Sequence, residues 1–123
     1  MDKTQALQDF WGQFGLPAYQ ADAMPPEAAL PYITYESATG KLGGTVALTG
    51  SVWYCGTTWV HAARKAAEIG QHLEKEHVPI PLDGGGYLWL RQGTPFARLL
   101  GDPEDDTVRR VILNLEAEFV TGA

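Results

Sequence analysis

Cysteine occurs once, at Cys55, so an internal disulfide is excluded and packing alone must hold the core. That cysteine has strand-type neighbours, where a small buried hydrophobe is expected. Positive charge is scarce: 9 Lys and Arg against 15 Asp and Glu leave a net charge of −6. Tight sequence-independent binding to a nucleic acid backbone is therefore not expected, whereas an acidic surface facing DNA without holding it is compatible. Apolar runs of membrane-spanning length are missing, as is a charged-then-apolar leader. The expectation is a chain that acts inside the cell that makes it, with no membrane partner. Apolar material is not scarce, with 45% hydrophobic residues that include 4 Trp, 5 Tyr and 4 Phe. In 123 residues this suffices for one core and one domain, 1–123, and argues against disorder.

The chain is organised around Thr45 to His77. In Thr45–Tyr54, Val46, Leu48, Val52 and Tyr54 fall on one face while Thr45, Thr49 and Ser51 fall on the other, the period of a half-buried strand. From Trp59 the period changes. Trp59, Ala62, Ala63, Ala66, Ile69, Gly70 and Leu73 recur every three or four residues and make a narrow apolar stripe on a helix. Its small residues allow close approach to a sheet, Thr57 or Thr58 can cap its first turn, and Pro79 and Pro81 end it.

Elsewhere, Asp2–Phe14 reads as a short helix with Leu7, Phe10, Trp11 and Phe14 near one face, stopped by Gly15 and Pro17. Leu16–Leu30, with Pro17, Pro25 and Pro26, has no steady period and reads as an irregular crossing. Pro31–Glu36 is β-branched and aromatic and reads as a strand. The glycine-bearing loop Ser37–Gly44 closes a hairpin and can project from the body. After a turn at Asp83–Gly86, Tyr87–Arg91 reads as a strand broken by Gly93-Thr94-Pro95-Phe96, and the acidic loop Asp102–Asp106 follows. In the last strand Val111, Leu113, Leu115, Ala117 and Phe119 point one way, and Arg110, Asn114, Glu116 and Glu118 the other. The order α-β-β-α-β-β predicts an α+β single-domain sandwich: a mainly antiparallel four-stranded sheet with helices on one face.

Candidate chemistry is thin. Glu68, His72 and Glu76 share a helical face at four-residue steps, but a solvated polar face explains them more simply than a metal. Asp102–Asp106 lacks the alternating oxygen ligands and downstream glutamate of a calcium loop. Asp83-Gly84-Gly85-Gly86 lacks the following Lys and helix of a phosphate loop. Cys55 could act as a nucleophile with His61, six residues on across a turn, but no setting that would activate the thiol is visible, and Ser51 is not in a nucleophile elbow. Arg109 and Arg110 point to opposite faces, and one is expected at the core edge against a carboxylate. The expectation is a binding or assembly module without cofactor, metal or catalytic site. Its contact residues are expected in the loop, at Thr39, Gly40, Lys41, Leu42 and Gly43, and on the polar strand face, at Arg110, Asn114, Glu116 and Glu118.

Five stretches in fixed order carry a family resemblance: Pro31–Glu36, Ser51-Val52-Trp53-Tyr54, Gly86–Leu90, Gly93-Thr94-Pro95-Phe96 and Asp105–Val111. Together they resemble the tail terminator (minor tail or tail-completion) proteins of long-tailed bacteriophages, in the form common in phages and prophages of Gram-positive bacteria. The likeness spans about three quarters of the chain as short segments. It implies a structural virion protein, not an enzyme, assembled in the bacterial host cytoplasm. Such a subunit forms a homo-oligomeric ring, typically a hexamer, at the head-proximal end of the tail tube. There it ends tube polymerisation, contacts the tail tube protein and the head–tail connector protein, and lets DNA through its lumen without specific binding. The alternatives are a head–tail connector or stopper protein, and a small intracellular enzyme using Cys55 or His61.

Overall fold

The computed structural model describes residues 3–36, 45–76, 80–83 and 85–120. Its elements are α1 (Lys3–Gly12), β1 (Ala18–Gln20), β2 (Tyr32–Tyr35), β3 (Thr45–Cys55), α2 (Val60–Glu76), β4 (Ile80–Pro81), β5 (Tyr87–Gly101) and β6 (Val108–Val120). The strands form one six-stranded sheet in the order β1-β2-β3-β6-β5-β4. Only β1 and β2 run parallel, and the other neighbours are antiparallel.

This corrects the expected architecture. The described residues form a single mixed sheet of six strands, a half-barrel with two helices, not a four-stranded antiparallel sheet with helices on one face. Two strands too short to show any period account for part of the difference. β1 lies inside the proline-bearing crossing, and β4 is the dipeptide Ile80-Pro81, an edge position where the missing N–H of proline costs no ladder bond. A third difference lies in β5. The expected break at Gly93–Phe96 is an irregularity inside one long strand, across which the pairing with β6 shifts register between Gln92 and Ala97. The added Cβ of any residue at 93 would lie 2.9 Å from the Asn114 carbonyl oxygen, so glycine lets the two backbones close up there.

The inner side of the sheet follows the period-2 pattern. In β6, Val111, Leu113, Leu115, Ala117 and Phe119 are all buried, opposite Leu48 and Val52 of β3 and Leu88 and Leu90 of β5. Burying each large aliphatic or aromatic side chain contributes roughly 1.5–3 kcal/mol, which makes this row the main source of sheet stability. The helices complete the same core. Leu7, Phe10, Trp11 and Phe14 of the α1 region and Ala62, Ala66, Ile69 and Leu73 of α2 belong to one buried cluster. Trp11 stacks on Tyr35 with centroids 6.2 Å apart and rests against Gly50, while Tyr35 donates its hydroxyl to Gln8 Oε1.

Local signals set the ends. Thr58 Oγ1 accepts from Val60 N at 3.2 Å and caps α2. Beyond α1 the chain turns at Gly15, whose φ of 83° suits glycine. Lys65 on α2 donates to the Phe14 carbonyl at 2.7 Å and pairs with Glu68 at 3.2 Å, so the end of α1 is tied to α2.

Candidate interaction surface

The outer side of the sheet carries a continuous row of aromatic and cationic side chains. The rings of Tyr19 and Tyr32 meet edge to face at 6.0 Å, and Tyr32 and Trp53 lie 6.2 Å apart. The Arg110 guanidinium covers Trp53 at 4.4 Å. This row follows from register, because Tyr32 pairs with Trp53 and Trp53 with Arg110 across three neighbouring strands. Polar contacts lock it: Trp53 Nε1 donates to Thr34 Oγ1 at 2.8 Å, and Arg110 Nε donates to Ser51 Oγ at 3.0 Å. Thr34 and Ser51 are themselves buried, so these bonds satisfy hydroxyls that water does not reach. Burial holds the Arg110 pKa below the ordinary guanidinium value; Glu36 opposes that shift and Arg98 adds to it.

The lower half of the same face is an ion-pair band. Arg91 on β5 reaches Glu116 at 3.0 Å and Glu118 at 3.6 Å, with Trp89 and Tyr87 exposed beside them. Asn114 donates to the Pro95 carbonyl at 3.0 Å. All four expected strand residues, Arg110, Asn114, Glu116 and Glu118, thus lie on one face, and each has a partner in its own chain. The expected loop contacts Thr39, Gly40, Lys41, Leu42 and Gly43 lie outside the described residues. Tyr19, Tyr32, Trp53 and Arg91 were not among the expected contacts. The signal for Trp53 was its place in the outward row after Thr45, Thr49 and Ser51.

The expected chemical candidates are taken up structurally. His72 packs its ring against Phe10 and Phe14 at centroid distances of 6.1 and 5.4 Å, and Glu68 pairs with Lys65. Among the described residues no group of three or more His, Cys, Asp or Glu is placed to hold a metal ion. The acidic loop binds its own backbone: Asp102 Oδ1 accepts from Glu104 N at 2.8 Å, and Asp105 Oδ1 accepts from Thr107 N and Oγ1 at 2.9 and 2.6 Å. The Thr107 hydroxyl and amide hold the Asp105 carboxyl below the ordinary value of 3.8. Cys55 is exposed, not buried as expected, because it ends β3; its Sγ faces Thr107 Oγ1 at 3.9 Å. His61 stacks on Tyr54 at 6.2 Å. Arg109 covers Trp59 at 5.3 Å and donates to the Asp106 carbonyl, and Arg110 has a ring and a hydroxyl. A carboxylate does act on each arginine, Glu36 on Arg110 and Asp105 on Arg109, but among the described residues the direct partners are carbonyls, rings and the Ser51 hydroxyl.

No protein-family model matches the chain, and no curated protein is significantly similar to it. No helix among the described residues is long and apolar enough to cross a membrane.

Proposed function

We propose that this chain is a structural subunit of a long-tailed phage, a tail terminator that forms a ring on the head-proximal end of the tail tube. One observation carries the reading. The stretches that bear the family resemblance are far apart in sequence, yet three of them supply Tyr32 and Thr34, Ser51 and Trp53, and Arg110, which meet in one contact network on the outer face. A reactive site would gather nucleophile, base and anion donors. This face gathers rings, hydroxyls and paired charges over a broad ordered surface, the composition of an assembly contact. A net charge of −6 suits a ring through which DNA slides without adhering.

Tube assembly in vitro tests the proposal. Purified tail tube protein polymerised with this chain should give shorter tubes that carry a ring at one end in electron micrographs. Tubes of unchanged length with bare ends would contradict it. In infected cells, loss of the protein should give tails of uncontrolled length. Tails of normal length beside heads that leak DNA would instead assign the chain to the connector.

A further inference from the structure

The two edges of the sheet differ in backbone and in charge. At one edge β1 is blunted by its own chain, since the Ala18 carbonyl accepts from Gln8 Nε2 at 3.1 Å and the Gln20 carbonyl accepts from Ala23 N at 2.9 Å. At the other edge β4 covers only Tyr87 and Leu88 of β5. Glu36 N donates to Thr49 O, Gly56 N to Thr107 O and Leu82 N to Gly86 O, and these three bonds agree on one alternation across the sheet. In that alternation the N–H and C=O groups of Ala97, Leu99 and Gly101 face away from β6.

The far half of β5 is bare on both faces as well as at its edge. Every residue from Ala97 to Gly101 is exposed, Leu99 by 51% and Leu100 by 43%. Arg98 stands among them, and it makes no ion pair among the described residues. The β1 side of the sheet has the opposite character. Asp22, just beyond β1, and Glu36, just beyond β2, border an open hollow of about 410 Å³ together with Gln20 and Tyr35. Both carboxylates are exposed, and neither has an ion pair among the described residues; Glu36 acts on Arg110 only at a distance.

We infer that these edges are the two halves of one contact between copies of this chain. The Ala97–Gly101 edge of one copy seats against the Asp22 and Glu36 hollow of the next, with the Arg98 guanidinium between the two carboxylates. The free N–H groups of the edge face the same acceptors, and the contact covers Leu99 and Leu100. Charge complementarity selects both the occupant and its orientation. Pairing two β5 edges about Leu99 would set Arg98 opposite Leu100 and leave Asp22 and Glu36 without a cation. The β1 carbonyls are already engaged, so the contact runs through side chains instead of extending the ladder. Because the two patches lie at opposite ends of the strand order, the contact is heterologous and repeats from copy to copy, the kind that closes into a ring. It rests on the terminator reading for that closure and names the surfaces that make it.

The test follows mass by light scattering and fold by circular dichroism on the full chain. Arg98→Glu, and separately the double variant Asp22→Lys with Glu36→Lys, should each weaken association at least about tenfold. Mixed in equal amounts, the two variants should recover the natural mass, because each supplies the edge that the other lacks and the reversed charges attract one another. Recovery on mixing also excludes misfolding as the cause of the loss. Pairing of two β5 edges would spare the double variant, whose β5 is intact. A natural chain that stays monomeric at every concentration, unchanged association in either variant, or a mixture that stays dissociated overturns the inference. Bare tube ends in the presence of a chain that obeys the mixing rule would contradict the terminator reading and leave this contact standing. A ring that forms and caps tubes with Arg98→Glu would do the reverse.

Discussion

Trp11 of α1 lies directly on Gly50 of β3, so closely that a Cβ at position 50 would stand 2.4 Å from the indole. Helix and sheet meet there without an intervening side chain, and the same indole stacks on Tyr35 one strand away. Gly50→Ala should therefore displace Trp11 and destabilise the fold by about 1–3 kcal/mol or more. Gly101→Ala is the control. No atom lies within 4 Å of the position its Cβ would take, and its effect should stay within about 0.5 kcal/mol. Urea unfolding of the two variants checks both values.

Burial raises the Tyr35 pKa above 10.0, so the folded state favours the neutral phenol. The sign follows from linkage. This contribution is fully present below the unfolded value and is lost as pH rises through the folded one. Unfolding free energy should therefore decline above about pH 10 in the natural chain, and less steeply in Tyr35→Phe. At neutral pH that variant should be weaker by about 1 kcal/mol, because Gln8 Oε1 loses its donor. A single slope shared by both proteins in the alkaline range would contradict this account.

Asp105 shows the opposite sign. Its carboxyl is held below 3.8 chiefly by the Thr107 side chain, so any stability it lends is present above that value and disappears as pH falls through the depressed one. Thr107→Val should return the carboxyl toward its ordinary value. A carbon-detected NMR titration of Asp105 reads the change directly.

On the outer face, Trp53→Ala removes the platform under Arg110 and the partner of Thr34. Loss of the cation–π contact costs on the order of 0.5–1 kcal/mol, and leaving the buried Thr34 hydroxyl without its donor adds about 1–3 kcal/mol. Self-association and tube capping should fall much further than stability. Circular dichroism and tube-length counts on the same preparation separate the two effects. Equal loss of fold and capping would make the Trp53 network purely structural.

Cys55→Ala and His61→Ala should leave assembly intact, since the thiol faces Thr107 and the imidazole stacks on Tyr54. Abolished capping in a folded variant of either residue would revive the enzyme alternative.

Strands and helices with strong periods were legible before the structure. The row Val111 to Phe119 and, on α2, Ala62, Ala66, Ile69 and Leu73 could be assigned from spacing alone, because burial on one face imposes that spacing; Ala63, expected in the same stripe, is exposed at its margin. β1 and β4 were not legible: Ala18–Gln20 and Ile80–Pro81 are shorter than any period, and only tertiary pairing makes them strands. The Gly93–Phe96 segment looked like a terminator of β5, whereas β6 continues past it and carries the strand across a register shift. Of the candidate surface, the alternation of Arg110 to Glu118 was visible. The stacking of Tyr19, Tyr32 and Trp53 was not, because it depends on the register of separate strands. The exposure of Cys55 is not legible from its neighbours, because strand-like residues before it do not reveal that β3 ends there.

The most direct test of the ring claim is the mass of the purified chain in solution, followed by light scattering over a wide range of concentration. The account predicts a closed oligomer of about six subunits that forms cooperatively and whose mass then stays constant. A monomer at every concentration that also leaves tail tube ends bare would contradict it.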